Sequence, residues 1–185
     1  MFKLQPKQLA LILIALTLSG CDSASQLLSQ IPQLSIRPNQ QQNLLTDAQS
    51  PATARMEAQV RQQVDAIRLS RGLKQLQNNE KLASVARSYS RQMAQQNFFG
   101  HTSPSGETMV QRVEAAGIFY FVIGENLFKC TNVPQPVKAA VQGWMNSPGH
   151  RENILRPEYR ETGIGVWQQG NTYYFTQLLM RSLSL

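Results

Sequence analysis

The chain is short of acidic residues, histidine and cysteine, and each shortage narrows what the protein can do. It has 11 Asp and Glu against 18 Lys and Arg, with only two histidines and two cysteines. Two cysteines allow no more than one disulfide, between Cys21 and Cys130. The histidines, His101 and His150, are the residues best suited to bind a metal or move protons near neutral pH.

Several sequence signatures of catalysis are absent. The chain has no Gly-x-Ser-x-Gly motif, no His-Glu-x-x-His zinc motif and no phosphate-binding glycine loop. Ser103, Ser105 and Ser147 lie close in sequence to the histidines, but they flank proline or glycine, which is typical of turns. A serine hydrolase is therefore disfavoured.

The excess of basic residues does not indicate a nucleic-acid partner. The formal charge is +7, and Lys3 and Lys7 contribute two of those charges at the extreme N-terminus. The remaining basic residues are scattered, whereas a nucleic-acid binder needs a concentrated patch or an aromatic platform. A solvated basic face, drawn to anionic lipid or cell-wall polymer, is the better interpretation.

One hydrophobic run stands out, and it is too short to span a bilayer. Residues 9–18 are almost entirely apolar, follow Lys3 and Lys7, and end in Leu18-Ser19-Gly20-Cys21. This order is typical of a bacterial lipoprotein signal peptide, in which the cysteine receives lipid such as palmitate before cleavage. We predict a signal peptide over residues 1–20, lipid on Cys21, and a location in the cell envelope on the extracytoplasmic side of the membrane. An ordinary secretory signal and an N-terminal transmembrane helix are the alternatives.

Two regions follow the predicted signal peptide. Residues 21–52 are rich in Gln, Ser, Asn and Pro and are predicted to form a flexible tether. Residues 53–185 are predicted to form one folded domain. With Cys21 acylated, Cys130 is the only thiol left, and it is expected to be buried and not activated.

Hydrophobic periodicity predicts four helices and at least three strands in the folded domain. The predicted helices contain Met56 to Ile67 with Gly72 as the terminator, Leu82 to Met93, Glu107 to Ala116, and a fourth that starts near Pro136 and is broken by Pro148-Gly149. The strand-like segments are Ile118 to Ile123 and two late runs, Ile164 to Trp167 and Tyr173 to Leu179, joined by a hairpin. Trp144 fits the apolar stripe of the fourth helix. We therefore predict an α+β fold with a small, mainly antiparallel sheet flanked by helices.

A set of motifs resembles the CAP superfamily, whose SCP domains occur in cysteine-rich secretory proteins, antigen 5 and plant pathogenesis-related proteins. The resemblance runs from about residue 58 to residue 180, and its Trp-to-Leu block is similar to the bacterial branch. The motifs, in chain order, are Leu82-Ala83 through Met93, Gly100-His101-Thr102-Ser103-Pro104-Ser105-Gly106, Gly124-Glu125-Asn126-Leu127, Trp144-Met145-Asn146-Ser147-Pro148-Gly149-His150-Arg151-Glu152-Asn153-Ile154-Leu155, Thr162-Gly163-Ile164-Gly165-Val166 and Tyr174-Phe175-Thr176-Gln177.

The resemblance implies an α-β-α sandwich with a cleft lined by His101, Glu125 and His150, where a divalent metal such as zinc is bound in some relatives. Asn126, Asn153 and Gln177 would support the cleft. The animal and plant pattern is not intact, because Tyr174 stands where those proteins carry a histidine. No Asp or Glu occurs between Asn126 and Arg151, and the disulfides of that branch are missing.

Three functions are compatible with these residues. The preferred hypothesis is a membrane-tethered binding module for a lipid, a cell-wall fragment or another protein. The main alternative is a metal-assisted hydrolase or peptidase that uses His101, Glu125 and His150. The third is a structural envelope protein whose cleft is vestigial. The histidines themselves could also be loop residues that only hydrogen-bond to backbone.

Overall fold

A computed structural model of the chain describes residues 50–183, which contain five helices and four strands. The elements in chain order are α1 (Pro51–Leu69), β1 (Gln77–Asn78), α2 (Glu80–Gln95), α3 (Met109–Ala115), β2 (Tyr120–Thr131), α4 (Pro136–Asn146), α5 (Pro148–Leu155), β3 (Glu161–Gln169) and β4 (Thr172–Ser182). The predicted signal peptide, the proposed lipid on Cys21 and nearly all of the predicted tether lie outside the described residues. No helix within residues 50–183 combines the length and the apolar character needed to cross a bilayer.

The four strands form one sheet in the order β1-β3-β4-β2, which leaves β2 at an edge. β2 and β3 both run antiparallel to β4, and only the short β1 pairs in parallel. Side chains alternate across β4, so that Phe175 and Leu179 enter one core cluster while Leu178 and Met180 enter another. The predicted mainly antiparallel sheet is confirmed.

Helices cover both faces of the sheet. α1, α4 and α5 share a core with β3 and β4, and the Trp144 side chain, as predicted, is fully buried in that core. Its indole Nε1 donates a hydrogen bond to the carbonyl oxygen of Leu127 on β2, at 3.0 Å. α2 and α3 pack on the opposite face. These layers confirm the α-β-α sandwich.

Capping residues set where the predicted helices begin. The Ser50 side chain accepts from the backbone N–H of Thr53 at the start of α1, and Asn79 accepts from Leu82 at the start of α2. α3 begins at Met109, two residues later than predicted, because Thr108 and Gln111 form a reciprocal capping box.

Two elements differ from the sequence prediction. α4 does end before Pro148, but Pro148 then starts α5, so the prediction of four helices is wrong by one. Proline suits the first position of a helix, where its missing N–H has no helical partner to lose. The strand predicted at Ile118 to Ile123 instead runs from Tyr120 to Thr131, through the Gly124-Glu125-Asn126 motif.

Candidate functional site

The three residues predicted to line a cleft lie close together beside the edge strand β2. His101 comes from the loop between α2 and α3, Glu125 from β2, and His150 from the first turn of α5. The His101 Nδ1 atom is 2.8 Å from the Glu125 Oε1 atom. The ring centres of His101 and His150 are 6.3 Å apart. The structure thus places the His101 imidazole against the Glu125 carboxylate and the His150 ring next to that of His101.

The Glu125 carboxylate is buried between an imidazole and a guanidinium. Its second oxygen, Oε2, accepts a hydrogen bond of 2.8 Å from Arg112 Nη2. The Glu125 side chain is only 2% exposed and that of Arg112 only 7%, whereas His101 is 57% exposed. A buried carboxylate needs such partners, because an unpaired charge is strongly disfavoured away from water.

Arg112 is the important residue that the sequence prediction missed. Its Cζ atom lies 3.2 Å from the centre of the Tyr89 ring. Its Nη1 atom donates to the backbone carbonyl oxygens of His101 and Glu107, at 3.3 and 3.2 Å. The Tyr89 hydroxyl donates to the Gly100 carbonyl oxygen at 2.6 Å. Arg112 and Tyr89 therefore hold the loop that carries His101.

A network of side-chain amides connects β2 to β4 and α5. Asn126 Nδ2 donates to Gln177 Oε1 at 3.0 Å and to the His150 carbonyl oxygen at 3.2 Å. Asn153 Nδ2 donates to Asn126 Oδ1 at 2.9 Å and to the Glu125 carbonyl oxygen at 3.3 Å. The three residues predicted to support the cleft are thus hydrogen-bonded to one another and to the backbone of its lining residues.

Gly124 allows α5 and the following loop to approach the edge of β2. A Cβ atom at this position would lie 2.3 Å from the Tyr159 hydroxyl oxygen and 2.9 Å from Asn153 Oδ1. Any other residue would push these groups away. The glycine of the Gly124-Glu125-Asn126 motif therefore has a steric role in assembling the site.

The two imidazoles differ in their surroundings. Burial lowers the pKa of His150, and the nearby His101 lowers it further. His150 is therefore protonated less readily than a free imidazole. The Glu125 carboxylate can only accept, so the His101 Nδ1 atom is the donor in the bond to Glu125 Oε1. The other ring nitrogen of His101, Nε2, points away from Glu125. The two rings therefore lie in different environments, with His150 partly buried and His101 largely exposed.

His101, Glu125 and His150 are not arranged as a three-ligand metal site. Both carboxylate oxygens of Glu125 are engaged, one by His101 and the other by Arg112. Among residues 50–183, no three His, Cys, Asp or Glu side chains are placed to hold a metal ion. Tyr174, at the position where the resemblance implies a histidine in animal and plant relatives, is buried and packs with Tyr89, Met93 and Leu127.

Cys130 is not positioned as a nucleophile. Its side chain is buried, and burial raises the pKa of its thiol. A thiol with a raised pKa carries little of the reactive thiolate near neutral pH. The expectation of a buried, unactivated cysteine is confirmed.

Comparison with known proteins matches the chain to one family. The family model described as "CAP: Cysteine-rich secretory protein family" matches residues 61–179. The uncharacterized protein YkwD of Bacillus subtilis (strain 168) is 37% identical over 131 residues, which cover 71% of this chain and 49% of YkwD. The uncharacterized membrane protein YlbC of the same organism is 33% identical over 122 residues, covering 65% of this chain and 33% of YlbC. The match thus spans half or less of these relatives.

A solved structure shows the same fold. It is a 1.5 Å crystal structure of an extracellular protein containing an SCP domain, from Bacillus anthracis strain Ames. The two chains are 28% identical with a TM-score of 0.64, and the match covers 73% of this chain and 45% of that one. YlbC is described as a membrane protein, and the Bacillus anthracis protein as an extracellular one.

Proposed function

The chain belongs to the cysteine-rich secretory protein (CAP) family, and we propose that it is a ligand-binding module of the bacterial cell envelope. In this proposal, lipid on Cys21 holds the protein on the extracytoplasmic side of the membrane. The folded domain then binds its ligand in the cleft formed by His101, Glu125 and His150. The extracellular and membrane-protein descriptions of its relatives support the location.

The observation that carries the binding proposal is the buried Glu125 carboxylate held between Arg112 and His101. These bonds fix the orientation of the exposed His101 imidazole before any ligand arrives. A side chain that is already ordered loses little conformational entropy on binding, which favours affinity. The arrangement therefore supports a binding role over a structural protein whose cleft is unused.

The polar character of the cleft favours a hydrogen-bonding ligand. Imidazoles and side-chain amides suit the hydroxyl, amide and carboxylate groups of a cell-wall fragment better than the acyl chain of a lipid. A protein ligand would make the same bonds through its backbone. Among the three ligand classes, we propose the cell-wall fragment.

The alternative of a metal-assisted hydrolase is not supported by the arrangement of donors. Such a mechanism needs about three protein ligands and an open position for water. The Glu125 carboxylate is paired with Arg112, so among the three proposed site residues the two imidazoles are left as metal ligands. We therefore assign no reaction to this cleft.

Calorimetric titration of the full chain tests the proposal. The probe is a mixture of soluble disaccharide-peptide fragments of peptidoglycan. We expect saturable binding, and we expect His101→Ala and His150→Ala each to weaken it at least tenfold, which corresponds to about 1.4 kcal/mol. A matched control is Gln168→Ala, in the exposed hairpin five strand positions along the sheet from the cleft. The proposal fails if the histidine variants bind these fragments as tightly as the control does.

A further inference from the structure

Three exposed apolar side chains lie at the end of the sheet where β2 begins and β4 ends. Phe119 and Phe121, at the start of β2, are 71% and 65% exposed, and Leu183, just after β4, is 40% exposed. The Leu183 backbone N–H bonds to the Phe119 carbonyl oxygen at 3.4 Å, which ties the two segments together. We call Phe119, Phe121 and Leu183 the aromatic edge patch. Moving an exposed aromatic side chain out of water is energetically favourable. The two exposed phenylalanines, Phe119 and Phe121, therefore indicate a contact surface.

Basic groups lie beside the aromatic edge patch. The Arg181 guanidinium carbon is 5.8 Å from the centre of the Phe121 ring. Lys81 donates from Nζ to the carbonyl oxygen of Gly117, two residues before Phe119, at 2.9 Å. Aromatic side chains with flanking cations are typical of surfaces that bind anionic lipid.

Two acidic groups also lie near this end of the sheet. The Glu161 carboxylate is engaged on both oxygens, by Asn79 Nδ2 at 2.6 Å and by the Ser182 hydroxyl at 2.5 Å. Glu114 lies close enough to Tyr120 to raise the pKa of its phenol, after the larger effect of burial. Glu114 lies on α3, outside the patch. Arg181 lies against the Phe121 ring, so a basic group adjoins the patch.

We infer that the aromatic edge patch docks on the surface of a membrane that contains anionic lipid. Phe119 and Phe121 enter the boundary between headgroups and acyl chains, and Arg181 and Lys81 contact lipid phosphates. A second copy of the chain is a poorer occupant, because a symmetric contact through this small patch brings two Arg181 side chains together. This contact goes beyond the proposed ligand binding and rests on the proposed extracytoplasmic location at the membrane.

The length of the chain permits this contact. Ser50 lies toward the other end of the sheet. Glu57, in the second turn of α1, accepts from the Val166 N–H, whereas Arg68, near the end of α1, reaches Tyr159 next to the end of β4, so α1 runs toward the patch from the opposite side. The 19-residue α1 is about 28 Å long. The 28 residues 22–49 can reach about 90 Å when extended, so a lipid on Cys21 leaves the patch free to touch the same bilayer.

Docking would also place the cleft near the membrane. Phe121 and Glu125 lie four residues apart on the same strand, a separation of about 13 Å. The cleft would then sit close to the bilayer surface while remaining open to solvent. A ligand displayed at that surface would meet the cleft directly.

The test compares two fluorescent labels on the full chain in vesicles. Phe119→Cys and Phe99→Cys are each labelled with an environment-sensitive probe, and the unsubstituted chain gives the background. Phe99 is the matched control because it is 49% exposed but lies outside the patch, two residues before His101. All chains in this comparison also carry Cys21→Ser, because an unacylated Cys21 would take the label; Cys130 is buried. The vesicles contain either phosphatidylcholine alone or phosphatidylcholine with about one third phosphatidylglycerol.

We expect the label at position 119 to shift to shorter emission wavelength in the anionic vesicles and to become at least threefold less sensitive to iodide quenching. The label at position 99 should stay exposed, and Arg181→Gln should reduce the protection at position 119. Equal behaviour of the two labels overturns the inference. So does protection at position 119 without vesicles, which would mean that another part of the chain or a second copy covers the patch. Co-sedimentation of the unsubstituted chain with vesicles of phosphatidylcholine alone reports the lipid anchor separately, because the patch is expected to need anionic lipid. We expect protection at position 119 to persist when the anchor is absent.

Discussion

At the scale of single residues, Arg112 is the side chain on which the site depends most. Replacing it with glutamine leaves the buried Glu125 carboxylate without its cationic partner. Breaking a buried ion pair in this way is strongly destabilising, so we expect Arg112→Gln to lower the free energy of unfolding by about 3 kcal/mol. Urea unfolding followed by circular dichroism measures the change.

The control for Arg112 is Arg156→Gln, which removes an exposed ion pair with Glu158. Such a pair contributes little, and we expect a change of about 0.5 kcal/mol or less. If the two variants lose the same stability, the buried pair does not hold the site together.

His150 should make the stability of the domain depend on pH. Because burial and His101 lower its pKa below the ordinary 6.5, the unfolded chain binds this proton more tightly than the folded domain does. The stability from this residue is therefore complete above about pH 6.5 and decreases as the pH falls. We expect His150→Gln to lose less stability between pH 7.5 and pH 5.5 than the unsubstituted chain loses, as measured by urea unfolding at both values. An unchanged or steeper loss in the variant contradicts this assignment.

At the scale of elements, the contact of α2 with β3 depends on a glycine. A Cβ atom on Gly165 would lie 2.1 Å from the backbone of α2 at Ala86. Because backbone cannot move as a flexible side chain does, we expect Gly165→Ala to cost at least 2 kcal/mol in urea unfolding. Gly149→Ala in α5 is the control, since no atom lies within 4 Å of its Cβ position, and alanine favours a helix. Equal stability of both variants would show that the layers can separate at little cost.

Sequence patterns predicted some elements better than others. The apolar residues of α2 recur at clear helical spacing, and the β3–β4 hairpin has clear turn residues between two strand-like runs. Both elements appear as predicted. The second half of β2 was missed because Gly124-Glu125-Asn126 interrupts its apolar pattern with residues whose partners come from α3 and α5. α5 was missed because Pro148-Gly149 also occurs where helices end.

At the scale of the whole molecule, the site joins residues that are far apart in the chain. The family resemblance allowed His101, Glu125 and His150 to be predicted together, and the structure places them together. Arg112 was not predictable in the same way, because a charged residue on a short helix is usually solvated. Only the packing of α3 against α2 and β2 places its guanidinium against Glu125 and the Tyr89 ring.

The proposed membrane anchor makes a separate prediction for the whole chain. Cells that express the protein with radiolabelled palmitate should incorporate the label into it, and Cys21→Ser should abolish that incorporation. Cys130→Ala, the matched control, should retain the label, because the only other cysteine is buried in the domain. Label in the Cys21→Ser protein would show that the lipid is attached elsewhere.

The most direct test of the proposed binding cleft follows the imidazoles of His101 and His150 by nitrogen NMR. The full chain has only two histidines, so its imidazole spectrum reports only His101 and His150. We predict that the peptidoglycan fragments shift the nitrogen signals of both rings, whereas one equivalent of zinc leaves both unchanged. A saturable change with zinc, together with no response to the fragments, would contradict the proposed binding cleft and support a metal centre instead.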